Sequence, residues 1–262
     1  MDAAFEPHQK NDVIRVAAYH RRDFALALIR SGPAPHLTIP DLYRPLCRKK
    51  CALCDSFGGF LFLPTATRCC FGCIDSANAL NIVSLSAFSK AAKISPKRLR
   101  RLLPVLLSIP GQYGMWHSTR SRPTNLVSER QAIDTLPTLT KNLDLQEILA
   151  QDSCWRFMAS TALPFLDLET NEVENGLSCK GCQVAVESSR PRGDESVFDR
   201  RDMVYSKDGF LDHFNACVGA KGLWVASQEG RVPFKEPEFT RRRGYLPCDE
   251  MKVETSKKRR RS

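Results

Sequence analysis

The sequence predicts an α+β fold that consists mostly of short helices, with small β-hairpins at two cysteine-rich knuckles and a disordered, basic C-terminal tail. Prolines such as Pro104, Pro110 and Pro137 divide the helical segments into short pieces. Three C-x-x-C pairs mark tight turns that bring two thiols to one point. Beyond Glu229 the chain is rich in charge and poor in apolar residues, a composition typical of unfolded segments.

Composition places the chain among proteins with a hydrophobic core. Its 262 residues are 42% hydrophobic, enough for one large or two modest domains. Five of the ten net positive charges lie in Lys257–Arg261, so the rest of the chain is only mildly basic. No signal peptide or membrane span is recognisable, which predicts an intracellular protein with no membrane partner. In that compartment the 11 cysteines indicate metal or thiol chemistry rather than disulfides.

Residues 1–40 are predicted to form one amphipathic helix followed by a linker. Asn11 and Asp12 can cap a helix whose apolar residues recur at helical spacing up to about Arg30. Gly32 and the prolines after it end that helix and begin the linker.

The first cysteine cluster contains Cys51-x-x-Cys54 and Cys70-x-x-Cys73, with residues 55–69 between the pairs. Two such knuckles supply the four thiolates of a tetrahedral zinc site, and this spacing matches the four-cysteine pattern. Two glycines and the short apolar run 60–63 between the pairs predict a hairpin.

Two alternatives stay open at the first cluster. The four residues could be buried free thiols, because Cys is often only a small core residue. Cys69 could also replace Cys70 as the third ligand. We favour Cys70, since it forms a C-x-x-C pair with Cys73.

The region between the two cysteine clusters is predicted to be helical. Three of the helix starts are indicated by a cap at Ser86, by Pro96 at a first helical position, and by a capping box from Ser128 to Gln131. The predicted helices are Ala87–Ile94, Lys97–Leu103, Glu129–Leu136 and Leu143–Ala150.

Lys97, Arg98, Arg100 and Arg101 form a basic cluster in the second of these helices. It could contact phosphate or an acidic partner, or it could be the solvated face opposite Leu99. We favour the solvated face, because charged runs on helices are usually only exposed.

The second cysteine cluster begins with Cys179-x-x-Cys182 and continues 30 residues later, after residues 183–212, with His213 and Cys217. The spacing of four between His213 and Cys217 predicts that both lie on one face of one helix. Together they form the ligand set of a finger with three cysteines and one histidine. The alternatives are a redox pair at Cys179 and Cys182, or an ordinary core histidine at position 213.

These patterns predict two structural zinc ions. The predicted metal ligands are Cys51, Cys54, Cys70, Cys73, Cys179, Cys182, His213 and Cys217. Cys47, Cys69, Cys154 and Cys248 receive no role. We expect residues 41–228 to be one zinc-stabilised domain and residues 229–262 to be a disordered tail. Lys257–Arg261 can act as a nuclear localisation signal; without import the protein would be cytoplasmic.

The chain resembles a group of F-box-type zinc-binding proteins of filamentous fungi. The resemblance rests on the block from Leu42 to Cys73, with its Ser-Phe-Gly-Gly-Phe-Leu-Phe-Leu-Pro-Thr core, and extends over roughly residues 41–245. In that family an F-box precedes the cysteine block and docks a Skp-type adaptor of a cullin ubiquitin ligase. Residues 1–40 contain no Leu-Pro-x-Glu, so the F-box itself is missing or degenerate here.

We therefore expect a zinc-binding protein-interaction module, with a substrate-adaptor role in a cullin ubiquitin ligase implied by the resemblance. The alternative is a nuclear zinc-finger protein that binds nucleic acid, suggested by the second cluster and the basic excess. We expect no enzymatic activity and no catalytic residue, because closed four-ligand sites leave no open metal position. The sequence also lacks H-E-x-x-H, P-loop and G-x-S-x-G motifs.

Overall fold

The computed structural model describes residues 22–33, 36–113, 119–140, 154–189 and 195–233. The fold is α+β, as predicted, with short helices and antiparallel sheets of two or three strands. The helices are α1 (Arg22–Ser31), α2 (Ile39–Leu46), α3 (Phe71–Ser76), α4 (Leu85–Ala92), α5 (Pro96–Leu102), α6 (Glu129–Thr135), α7 (Pro137–Thr140), α8 (Trp155–Met158), α9 (Lys180–Ser189), α10 (Glu195–Asp202), α11 (Lys207–Ala216) and α12 (Val218–Ala226).

The strands are short and pair only in antiparallel fashion. They are β1 (Phe60–Phe62), β2 (Thr67–Cys69), β3 (Ile82–Ser84), β4 (Leu106–Leu107), β5 (Gly111–Gln112), β6 (Thr119–Arg120), β7 (Asn125–Ser128), β8 (Ser160–Ala162), β9 (Phe165–Leu166) and β10 (Val173–Glu174). In the described part of the chain, no helix has the length and apolar composition that crossing a bilayer requires.

Some predictions fall outside the described residues. They are the helix over Leu143–Ala150, the first half of the N-terminal helix, and the basic tail with Cys248. The described half of the N-terminal helix is α1, which ends at Ser31. Gly32 follows with φ 87°, a left-handed conformation that glycine adopts without strain.

The described residues form two compact units. The first unit contains those within Met1–Ile109, Arg122–Leu177 and Val204–Lys207. The second unit contains those within Pro110–Ser121, Ser178–Met203 and Asp208–Ser262. The domain limits expected at residues 40 and 228 stay a prediction.

A three-stranded sheet of order β2-β1-β8 carries the first cysteine cluster. Residues 60–63 were expected to form a strand, and Phe60 pairs with Cys69 on one side and Ala162 on the other. Leu61 and Phe62 are both 0% exposed, because both faces of this short strand are covered. A 3-10 turn over Leu63–Thr65 closes the hairpin between β1 and β2.

Arg68 in β2 is buried in the first unit, with only 1% of its surface exposed. Its Nη1 donates to the carbonyl oxygens of Pro45 at 2.8 Å and Pro164 at 2.9 Å, and Nη2 donates to Leu163 at 3.4 Å. The guanidinium also lies 5.7 Å from the centroid of the Phe57 ring. Burial lowers its pKa to about 10, so Arg68 still carries its charge at neutral pH. One side chain therefore ties the end of α2, strand β2 and the segment after β8 together.

The second sheet of the first unit has the order β3-β7-β4 and packs against α4, α5 and α6. Apolar side chains from these elements form one buried cluster: Val83, Leu85, Phe88, Ala92, Leu99, Leu103, Val127 and Ala132.

The helices around this sheet begin where side-chain oxygens cap them. The cap of α4 is Ser84 rather than Ser86, because β3 ends at Ser84 and its Oγ accepts from the amide of Ala87 at 3.1 Å. Ser128 caps α6 as predicted. Gln131 does not complete a capping box; its Nε2 donates to the Pro64 carbonyl at 2.6 Å instead.

Replacing Arg68 by methionine should lower the free energy of unfolding by about 3 kcal/mol, because the carbonyls it serves would stay buried without donors. Arg98→Met is the matched control. Arg98 is exposed, so its loss should change stability by less than about 0.5 kcal/mol. Urea denaturation followed by circular dichroism measures both; equal midpoints for the two variants would contradict a structural role for Arg68.

Candidate metal centres

The first predicted cluster is assembled as expected from Cys51, Cys54, Cys70 and Cys73. Their sulfur atoms all lie within 4.8 Å of one another. The Cys54 Sγ is 3.6 Å from the Cys70 Sγ and 3.6 Å from the Cys73 Sγ. Cys51 and Cys54 lie in the loop before β1, whereas Cys70 is the N-cap of α3 and Cys73 lies in its first turn. The β1–β2 hairpin thus brings the two knuckles to the same end of the sheet.

Backbone hydrogen bonds fix this loop and its sulfurs. The amide of Leu53 donates to the Cys51 Sγ at 3.4 Å, and the amide of Cys73 donates to the Cys70 Sγ at 3.4 Å. The amide of Ala52 donates to the carbonyl of Arg68 at 2.9 Å, which fastens the first knuckle to β2. Amide donors of this kind stabilise negative charge on sulfur, which is the form that binds a metal.

Cys69 lies outside the cluster. It is 0% exposed, and its Sγ points to the carbonyl oxygen of Phe60 at 3.8 Å. Burial raises the pKa of its thiol well above the ordinary range. Cys70 is the residue that the structure brings to the other three sulfurs, which answers the question the sequence left open.

The thiols of the first cluster differ in their tendency to ionise. A backbone hydrogen bond with Ser56 lowers the pKa of Cys54 to about 7. Burial raises the pKa of Cys70 and, together with hydrogen bonding to Cys54, that of Cys73. Four thiolates this close together repel one another, so full ionisation requires a cation among them.

The second predicted cluster is also assembled. Ligand atoms of Cys179, Cys182, His213 and Cys217 lie within 4.8 Å of one another. The Cys217 Sγ is 3.9 Å from the sulfur of Cys179 and 3.9 Å from that of Cys182, and Cys182 Sγ is 3.3 Å from His213 Nε2. Burial raises the pKa of Cys182 to about 12 and lowers that of His213.

The expectation that His213 and Cys217 share one helix is wrong. Helix α11 ends at Ala216, and Cys217 is the N-cap of α12 with φ −88° and ψ 106°. The amide of Cys217 donates to the carbonyl of His213 at 2.8 Å, so the last turn of α11 brings the two residues together. As a cap, the Cys217 Sγ accepts from the amide of Ala220 at 3.4 Å.

Two glycines allow α9 and α12 to approach closely enough to close the second cluster. A Cβ on Gly181 would lie 2.1 Å from the backbone nitrogen of Ala220. A Cβ on Gly219 would lie 2.6 Å from the carbonyl oxygen of Gly181. Backbone atoms cannot move aside as a flexible side chain can, so these positions require glycine. At this spacing the Sγ atoms of Cys182 and Cys217 are 3.9 Å apart.

Both clusters fit a tetrahedral metal ion. Sulfur ligands about 2.3 Å from a tetrahedral zinc lie about 3.8 Å from one another, and the sulfur separations given above run from 3.6 to 3.9 Å. Thiolate and imidazole ligands in sets of four are the donors of structural sites. Each cluster can therefore hold one metal ion, and no third group of this kind occurs in the described ranges.

The remaining described cysteines lie outside both clusters. Cys47 follows α2 and Cys154 precedes α8, and both are half-buried.

An apolar groove of about 640 Å³ lies beside the second cluster. It was not predicted from the sequence. Aromatic and aliphatic side chains of α11 and α12 line it: Phe210, Leu211, Phe214, Leu223 and Trp224. Leu211 is 61% exposed and Trp224 is 48% exposed. The sequence does contain a signal for this groove, namely the large apolar residues that recur in two consecutive short helices.

A comparison with models of known protein families, with curated proteins and with solved structures found no match to this chain.

Replacing Cys54 or Cys70 by serine should release the metal of the first cluster and unfold residues 51–73, because metal-binding energy there is folding energy. Zinc content by inductively coupled plasma mass spectrometry and thermal melting measure this. Cys69→Ala and Cys154→Ser are the controls, and both should keep their metal. Metal loss in Cys69→Ala with retention in Cys70→Ser would contradict the assignment.

Gly181→Ala should release the metal of the second cluster, because the new methyl group overlaps the backbone of Ala220. The matched control is Gly222→Ala in α12, where a Cβ meets no atom within 4 Å. That control should keep both metals and stabilise the helix by about 0.5–1 kcal/mol. Metal content and melting temperature decide the matter; equal metal content in the two variants would refute the close-packing argument.

Proposed function

We propose that both clusters bind zinc and that the protein is a zinc-stabilised protein-interaction module. Zinc suits sites of four thiolates, or of three thiolates and an imidazole, and it has no redox chemistry of its own. When bound, the ions supply structural cross-links between short elements that bury little apolar surface. The chain itself orients the ligands, because the amides of Leu53, Cys73 and Ala220 donate hydrogen bonds to the cysteine sulfurs.

The apolar groove of the second unit is the observation that carries the interaction role. Large apolar surfaces on a soluble protein mark sites for partner proteins or ligands. Phe214 and Trp224 meet edge to face with ring centroids 6.2 Å apart, so part of the groove wall is preorganised. Aromatic side chains of this kind are the usual anchors of protein interfaces. A partner segment with two or three apolar side chains fits such a surface.

The resemblance to F-box-type proteins suggests the process in which this interaction module takes part. We propose that the groove receives a substrate protein and that the N-terminal region contacts a Skp-type adaptor of a cullin ubiquitin ligase. In α1, Phe24, Ala27 and Leu28 are buried, whereas Leu26 is 43% and Ile29 is 70% exposed. These two exposed residues are three apart on one helix face and offer an apolar contact for the adaptor.

The second cluster offers little to nucleic acid. Its helix α11 exposes Asp208 and Asp212, whose carboxylates repel phosphate. A helix that reads the major groove usually presents arginine, asparagine or glutamine there.

Affinity purification of the full chain from cells that express it, with nuclease treatment and mass spectrometry, tests both parts. We expect to recover a Skp-type adaptor and a cullin, together with substrate proteins. Leu211→Asp should abolish substrate recovery, because a charge in the groove opposes apolar binding. Val225→Asp is the matched control: Val225 is 75% exposed on α12 but does not line the groove.

The outcomes separate the two halves of the proposal. Absence of adaptor and cullin with the wild-type chain would remove the ligase role and leave the groove. Equal recovery of every bound protein with Leu211→Asp and Val225→Asp would remove the groove as the binding site.

A further inference from the structure

The stretch between the two predicted protein-binding regions carries an unusual charge distribution. From residue 76 to residue 128 the chain contains eight lysines and arginines and no aspartate or glutamate. Six of the eight fall on the consecutive helices α4 and α5 and the turn between them. They are Lys90, Lys93, Lys97, Arg98, Arg100 and Arg101, and all six are exposed. A solvated surface without a partner usually mixes both signs of charge, so this distribution calls for an anionic partner.

Helices α4 and α5 follow one another with the turn length of a helix-turn-helix. A turn of three residues, Lys93 to Ser95, joins them, which is the length typical of this motif. Lys93 ends α4 in the left-handed conformation with φ 54°. The amide of Ile94 donates to the carbonyl of Ser89 at 3.2 Å, and Ser89 Oγ donates to the carbonyl of Ile94 at 2.6 Å. These reciprocal bonds fix the turn, and Ser95 caps α5.

The core holds α5 by one face only. Leu99 is 0% exposed and Leu103, directly after the helix, is 3% exposed; both join the buried cluster that contains Phe88 and Val127. Lys97, Arg98, Arg100 and Arg101 occupy the opposite face, spread over about 160° of the helix circumference. Among the described residues none of these four side chains forms an ion pair.

We propose that α5 is the nucleic-acid-contacting helix of a helix-turn-helix and that the ligand is double-stranded DNA. In this motif the second helix enters the major groove while the first crosses the backbone. Four cations spread around the exposed side of α5 can reach phosphates on both walls of the groove, and arginine also reads guanine edges. The proposal therefore assigns DNA binding to the first unit and not to the finger-like cluster, which belongs to the second unit.

The exposed side chains of α4 and α5 favour duplex DNA over single-stranded nucleic acid. Proteins that bind single-stranded nucleic acid stack its bases on exposed aromatic side chains. The only aromatic residue from Leu85 to Leu103 is Phe88, which is 0% exposed. The face thus offers charge and hydrogen-bond donors but no stacking platform.

The test uses the full, zinc-loaded chain and a fluorescein-labelled duplex of about 20 base pairs, or two helical turns. Fluorescence anisotropy is measured between about 50 and 200 mM salt, where four phosphate contacts cost roughly 100-fold in affinity. One variant neutralises the α5 face and another removes the same charge from the tail. The first carries Lys97→Gln, Arg98→Gln, Arg100→Gln and Arg101→Gln; the second carries Lys257→Gln, Lys258→Gln, Arg259→Gln and Arg260→Gln.

We expect the α5 variant to weaken duplex binding by at least about 30-fold and to reduce the slope of log K against log salt by three to four units, at about 0.9 per phosphate. The tail variant should lose clearly less. Glutamine is a good helix former and the four positions are exposed, so the variant should fold; zinc content and circular dichroism verify it. The double variant Arg98→Gln, Arg101→Gln should show about half the slope change.

Three results would overturn the proposal. The first is no duplex binding by the wild-type chain at low salt. The second is an equal or larger loss in the tail variant, which would assign the binding to non-specific charge. The third is equal competition by a polyglutamate peptide or by a single strand of the same sequence, which would make the partner an acidic protein or single-stranded nucleic acid.

Discussion

Electrostatic repulsion among clustered thiolates is the constraint on which this structure depends. In each cluster the ligand atoms lie within 4.8 Å of one another, a separation at which neighbouring thiolates cannot all stay charged without a cation. The helices that hold or adjoin them have six to ten residues, and the β1–β2 hairpin beside the first cluster has strands of three residues. Such elements gain little stability alone. A metal ion held by each cluster would link distant pieces of chain, and folding and metal affinity would then be coupled.

Around these centres the chain uses two further devices to join short elements. In the first unit the buried guanidinium of Arg68 provides donors to carbonyls far apart in sequence, where no regular ladder could satisfy them. In the second unit Gly181 and Gly219 let two helices touch backbone to backbone. Both devices depend on one residue type at one position. A residue of similar volume cannot replace the arginine or either glycine, whereas apolar core residues usually tolerate such exchanges.

The two units present surfaces of opposite chemistry. The second unit exposes an apolar groove with aromatic walls. The first exposes a cationic helix face, and the sequence has no acidic residue within 20 residues on either side of α5. Apolar grooves bind protein segments, whereas concentrated positive charge on a helix-turn-helix binds duplex DNA. If both proposals hold, the protein partner and the DNA are bound by different units of one chain. The F-box-type resemblance and the DNA proposal are therefore compatible in one molecule.

The sequence by itself determined the fold class and the metal-ligand candidates. C-x-x-C spacing fixes which thiols can meet because a tight turn brings both to one point, and the hairpin between the pairs follows from a short apolar run flanked by glycines. Only the tertiary structure decided between Cys69 and Cys70, since Cys69 ends β2 with its sulfur at the Phe60 carbonyl, whereas Cys70 caps α3 with its sulfur at Cys54. It also showed that Cys217 caps a separate helix, that Arg68 donates hydrogen bonds to distant carbonyls, and that a hydrogen-bonded turn joins α4 to α5. Those facts depend on contacts across many residues of sequence, which local spacing and propensity do not encode.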